Sequence, residues 1–130
     1  MARDKVTVLL PVQDDSQSIE VGEVTPKAVT VANGIEISDA LDNKNNSLQI
    51  YIQNTANAAK NVTIKAGDNY PNAMLGDKVV SAASEKITVV LLEDISRFEN
   101  RDKSVYLDFA AGFTGNVWAV AKRAGIKPVV

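Results

Sequence analysis

Ser47–Gly67, SLQIYIQNTANAAKNVTIKAG, decides the fold class. Leu48, Ile50 and Ile52 alternate with Gln49, Tyr51 and Gln53, so one side of a strand is apolar and the other can meet water. The same period resumes with Val62 and Ile64 set between Asn61, Thr63 and Lys65. Asn54–Lys60 in between is small and polar, too long for a two-residue turn and within the range of an ordinary hairpin loop. The spacing predicts a β-hairpin at the centre of an all-β domain, and nothing in it carries catalytic chemistry.

Outward from this stretch the alternation continues. Lys5–Val12 is a first apolar strand that Pro11 helps to end, and Ser18–Val24 is a second that Pro26 stops. Residues 1–26 thus make an N-terminal strand or arm, and 27–130 the β-sandwich, one compact domain overall. The arm is acidic, with Asp4, Asp14, Asp15, Glu20 and Glu23 against Arg3 and Lys5, which suits either a solvated edge or an arm that pairs with a neighbouring subunit. In Ala28–Ala40, Asn33-Gly34 signals a hairpin. A three-residue turn, Ala32–Gly34, would pair Val31 with Ile35 and Val29 with Ile37 and bury all four, with Gly34 in the left-handed conformation.

Toward the C-terminus, Lys78–Ser81 is a short strand and Glu85–Leu92, EKITVVLL, the most apolar one. Ile87, Val89 and Leu91 are expected to face the core. Val90 and Leu92 are apolar on the opposite side, so this strand should be covered on both faces or lie at an interface. Glu93–Asn100 is a turn anchored by Phe98; Val105, Leu107 and Phe109 point inward from the next strand; and Asn116–Arg123 closes the sheet with Val117, Ala119 and Ala121 on one side and Trp118, Val120 and Lys122 on the other. The sum is an all-β chain: a single antiparallel β-sandwich or jelly-roll-like barrel of about eight or nine short strands. No strand–helix–strand alternation supports an α/β fold.

Composition narrows the chemistry. At 130 residues and 45% apolar, the chain can bury a core without staples. It has no cysteine and no histidine, which removes thiolate nucleophiles, disulfides, the commonest general base and the commonest metal ligand. No enzyme activity is expected, and no catalytic, cofactor-binding or metal residue is assigned. Asp39–Ser47 is rich in oxygen ligands, but Lys44 stands where a calcium loop needs a ligand, and no glycine or closing glutamate follows. The Glu93-Asp94 pair lacks a cleft or polar partner and suits helix capping better. A net charge of −2 without a basic run argues against nucleic acid, and the short apolar run after Arg3-Asp4-Lys5 against a signal peptide or a membrane span. One segment stands out: Asp68–Asp77, DNYPNAMLGD, carries Tyr70, Met74 and Leu75 on a long loop, which either plugs one end of the sandwich or forms a partner-contact surface.

The order of these segments also resembles that of a family. SLQIYIQNT, AAKNVTIKAGD, a Gly76-Asp77 loop end, ITVVLLEDISRF, KSVYLDF and GNVWAVAKR are similar to a group of small virion proteins encoded among the head genes of tailed bacteriophages and prophages. Asn54-Thr55, Asn57–Asp68, Leu92–Phe98 and Val105–Val120 occupy the places of that group's motifs, and the likeness runs over residues 28–123. Leu92-Glu93-Asp94-Ile95 departs from its usual Pro-Leu-Glu start, and the long loop lacks its arginine. The resemblance implies a structural protein of the phage head that decorates or cements the shell. It also implies contact with the major capsid protein or another virion protein, homo-oligomers on the particle, and synthesis in the bacterial host cytoplasm. A tail-associated role is the nearest variant. A carbohydrate-binding or adhesion module is the rival, and it would need Tyr51, Tyr70 and Trp118 in one exposed flat platform.

Overall fold

Period-two alternation turns one side of each strand inward, and in this chain two sheets close over the interior so formed. The computed structural model describes residues 3–8, 12–13, 19–20, 26–38, 45–68, 72–92, 97–98 and 100–123. Numbered along the chain, β1 (Asp4–Thr7), β5 (Ile35–Ser38), β10 (Val105–Phe109), β7 (Lys60–Ile64) and β8 (Lys78–Ala82) form a five-stranded sheet in that spatial order. A four-stranded sheet has the order β4 (Lys27–Ala28), β11 (Gly115–Arg123), β6 (Asn45–Asn54), β9 (Lys86–Leu92). The two-residue strands β2 (Val12–Gln13) and β3 (Ile19–Glu20) pair with each other. All pairings are antiparallel except β1 with β5, which run parallel.

The fold is therefore an all-β sandwich, and the jelly-roll-like barrel is set aside because the sheets do not close on each other. Both contribute to one core. Ile35, Ile37, Val62, Ile64, Val105 and Leu107 come from the first sheet and Leu48, Ile50, Ile52, Val117 and Ala119 from the second, all of them fully buried. Phe98, as expected, is a buried anchor, and Phe109 packs on Phe113 at 4.7 Å between ring centres.

Strand partners differ from the sequence expectation in three places. First, β6 and β7 are not a hairpin: β6 lies between β11 and β9, and β7 between β10 and β8, so Thr55–Ala59 carries the chain across the core from one sheet to the other. Second, Asn33-Gly34 does not join a hairpin either. Asn33 and Gly34 donate their N–H groups to the Thr30 carbonyl at 3.0 and 3.1 Å, and Gly34 adopts φ +71° as the turn demands, but β4 belongs to the four-stranded sheet and β5 to the other. Val29 and Val31 pack at the margin of the core while Ile35 and Ile37 lie inside it. Both edges of β5 are taken, by β1 and β10, which leaves no place for a hairpin partner.

Third, β9 shows the core the face opposite to the expected one. Val90 and Leu92 are buried, while Ile87, Val89 and Leu91 are about half exposed at 52, 51 and 53%. Register is the reason. Leu48 pairs with Leu92 and Ile50 with Val90, so the inward side of β9 must share parity with these buried partners.

Of the N-terminal segment, β1 is part of the chain's own sheet, and Val6 and Val8 join the core. Arg3 fastens it by an ion pair to Asp108 at 2.6 Å, a hydrogen bond to the Leu107 carbonyl at 3.0 Å, and stacking 4.6 Å above the Tyr106 ring. The oxygen-rich loop residues 39–44 and the Glu93-Asp94 pair lie outside the described residues.

Candidate functional site

Two surfaces stand out once the core is assigned: a loop at one end of the sandwich and the outer face of the four-stranded sheet. The loop is Asp68–Asp77, and its feet are tied down. Asp77 accepts from the Ala66 N–H at 2.6 Å and from Lys65 Nζ at 2.9 Å. Arg97, from the segment after β9, donates from Nε to the Gly76 carbonyl at 2.8 Å and from Nη2 to the Asp77 carbonyl at 3.0 Å, while its own carbonyl accepts from Gly67 N–H. Asp68 accepts from the Arg101 N–H at 2.7 Å. The loop that lacks an arginine of its own is thus held by one brought from elsewhere in the chain.

Between these feet, Asn72–Leu75 forms a single 3-10 turn, and its last two side chains face water: Met74 is 71% and Leu75 66% exposed. Of the expected contact residues, the structure places Met74 and Leu75 together at the tip, and Tyr70 lies outside the described residues. Neither Met74 nor Leu75 plugs the sandwich. Exposing two large apolar side chains forgoes roughly 1.5–3 kcal/mol each of burial, which is a feature of surfaces that meet a partner.

The foot is sensitive to pH. The Ala66 N–H bond, then the Lys65 ammonium, hold the Asp77 carboxyl below its ordinary value of 3.8, and the same pair lifts Lys65 above 10.5. Asp77 therefore adds stability above pH 3.8 that is lost as pH falls below it, and Lys65 adds stability below pH 10.5 that is lost as pH rises beyond. Both groups are more than a third exposed, so solvent keeps the effect small and local. The Ala66 amide resonance is expected to titrate with a midpoint below 3.8. A midpoint at or above that value would show that the foot is open in solution.

The two outer faces contrast. On the five-stranded sheet, most residues alternating with the core are polar, among them Lys5, Thr7, Glu36, Ser38, Thr63 and Asp108, with Tyr106 between them and Val79 exposed at the edge. On the four-stranded sheet the same register sets Ile87 beside Gln53, Val89 beside Tyr51 and Leu91 beside Gln49, with Asn116, Trp118 and Val120 in the next row. Gln53 accepts from Asn116 at 3.1 Å and Gln49 from the Tyr51 hydroxyl at 2.9 Å, so the amides of this face are partly spent on each other. Tyr51 and Trp118 are 5.3 Å apart and within 4° of parallel. Rings that close cannot lie side by side in one plane; they stack, each covering a face of the other. A shallow open depression lined by Gln53, Asn54, Thr55, Glu85, Lys86 and Ile87 continues this face at one end.

Among the described residues no group of three or more acidic side chains stands together to hold a metal ion, and no helix is long and apolar enough to cross a membrane. No family model, curated protein or solved structure matches the chain.

Sequence reasoning singled out Met74 and Leu75 as apolar residues on a long loop, where the structure exposes them, but missed two things. It set Ile87, Val89 and Leu91 inward, where the one available signal was that both faces of EKITVVLL are apolar. It also missed the Arg97 clamp, which joins residues twenty or more positions apart and leaves no local pattern.

Proposed function

We propose that this chain is a non-enzymatic structural protein of a tailed-phage virion, a capsid decoration protein that docks on the major capsid lattice through the tip of the Asp68–Asp77 loop. The observation that carries the reading is the clamped loop, whose feet are fixed by Asp77, Lys65 and Arg97 and whose tip holds Met74 and Leu75 in water. A rigid support reduces the ordering cost of binding, and two apolar side chains per copy give a weak contact that a repeating lattice multiplies. The order of motifs over residues 28–123 supports the same reading. On it, the chain is made in the host cytoplasm and resides on the phage head, and it uses no cofactor.

The test takes purified heads lacking this chain, from the phage whose genome encodes it. Wild type should bind them to saturation in a co-sedimentation assay. Met74→Ser with Leu75→Ser should keep the wild-type circular dichroism and melting, yet lose about nine-tenths of the occupancy. Full occupancy by the double variant would remove the loop from the contact. Failure of the wild type to bind any head would remove the decoration reading itself.

A further inference from the structure

An antiparallel sandwich has four sheet ends, and each must deal with unpaired backbone N–H and C=O groups that invite another strand. Three of the four are guarded here. β4 has two residues and follows Pro26; β1 is four residues carrying Asp4 and Lys5; β8 has five residues and sets a single apolar side chain, Val79, beside Ser81 on its outward row. β9 is different. It is seven residues long, contains no proline, pairs with β6 without a register break, and is the last strand of its sheet among the described residues. Its outward side chains, Ile87, Val89 and Leu91, are apolar and half exposed.

We infer that β9 is a self-association edge: two copies of this chain pair β9 to β9 in antiparallel fashion about a two-fold axis at Val89, doubling the four-stranded sheet. Three observations select a second copy as the occupant. Val89 is the middle residue both of the strand and of the apolar triplet, so the pairing sets Val89 on the partner's Val89 and Ile87 on the partner's Leu91, twice. Isologous contacts require this self-complementarity, and a foreign strand would not.

Charge is the second. Lys86 is the only charged residue of β9, and the two-fold places it opposite the partner's Leu92, so no like charges meet; the two lysines end about 20 Å apart.

Area is the third, and it sets the strength. The paired edge is a slab about 24 Å long and about 10 Å deep, well short of the roughly 800 Å² per partner of a standard stable interface. The dimer is therefore weak, and it fills at high local concentration, such as a lattice provides. This inference does not depend on the proposed docking of the loop, which lies on a different element.

The absence of cysteine gives a clean test. Val89→Cys introduces the only thiol of the chain, which the two-fold axis sets opposite its own copy at about 4.5–5.5 Å between Cβ atoms. Under a mild oxidant it should give a species of twice 13.9 kDa at least about tenfold faster than Val79→Cys, a control of matching exposure on the edge strand of the other sheet. Wild type at about 1 mM should sediment partly as dimer; Val89→Lys and Val89→Glu should each be monomeric; and their equimolar mixture should dimerise again. Equal cross-linking rates for the two cysteine variants overturn the inference. So does a mixture that stays monomeric while wild type dimerises, or a dimer that survives Val89→Lys, which would point to face-to-face pairing through Trp118 instead.

Discussion

Gly115→Ala is expected to cost about 3–5 kcal/mol and to lower the melting temperature by roughly 12–20 °C. Gly115 starts β11 at the joint where three strands of the four-stranded sheet meet. It pairs with Asn54 of β6, its carbonyl accepts from Val29 N–H at 2.9 Å just after β4, and the Thr55 N–H reaches the Thr114 carbonyl at 2.8 Å. Its φ of +148° lies where side chains are strongly disfavoured, and a Cβ would fall 1.8 Å from the Gln53 carbonyl oxygen. That oxygen belongs to a central strand and cannot swing aside as a flexible side chain would. Gly76→Ala is the control: its φ is +82° but open space surrounds the new methyl, so only the backbone term remains, about 1 kcal/mol. If both variants melt within about 4 °C of the wild type, β11 does not approach β6 this closely in solution.

The same joint shows what the sequence could and could not disclose. Alternation is a local property of side chains against one mean plane, and it assigned Leu48, Ile50, Ile52, Val62, Ile64, Val105, Leu107 and Phe109 to the core, where they are; for the last strand it separated Val117 and Ala119 from Trp118 and Val120 without saying which side is buried. It contains no information on which strand lies alongside. A polar segment of five residues can return the chain within one sheet or carry it over the core to the other, and both leave the same period in the flanking strands. Thr55–Ala59 takes the second course, and so does Asn33-Gly34, whose glycine has the left-handed conformation expected of the turn.

The β9 error has another origin. Within Lys86–Leu92 every odd-numbered residue is apolar, whereas the even side begins with Lys86 and Thr88. The more apolar side was the natural choice for the interior. In the fold, the first half of β9 runs along the margin where Lys86 can reach water, and only Val90 and Leu92 are covered. A uniformly apolar set on the solvent side is costly for an isolated monomer, and the proposed pairing of β9 with a second copy would offset that cost. For the loop, the tip was visible as three apolar residues in a polar run, but its stiffness was not, because Arg97 and Asp77 are joined only in three dimensions.

Asn54 is where the sequence offered a clue to the crossing. It continues the inward parity of Leu48, Ile50 and Ile52, yet it is polar, and a fully buried amide must find partners. Its Nδ2 donates to the Ala58 carbonyl at 3.1 Å within the crossing segment and to the Ala82 carbonyl at 3.0 Å at the end of β8, and its Oδ1 accepts from Ala56 N–H at 2.9 Å. One side chain thereby shapes the crossing and ties the four-stranded sheet to the edge of the other. Ser84 Oγ adds a bond to the Ala56 carbonyl at 2.9 Å, fixing the corner from which β9 departs. Asn54→Ala should cost about 2–4 kcal/mol, since it removes three bonds and leaves the buried Ala82 carbonyl without this donor. Asn54→Asp should be worse at neutral pH, because the carboxylate keeps the acceptor role, loses both donations and buries a charge. Burial would lift that carboxyl above its unfolded value, so the deficit should shrink as pH falls toward the unfolded value, where the protonated acid regains one donor. A melting curve of Asn54→Asp that shows no recovery between pH 7 and about pH 4, or an Asn54→Ala variant as stable as the wild type, would mean that the crossing is held by its neighbours and not by this amide.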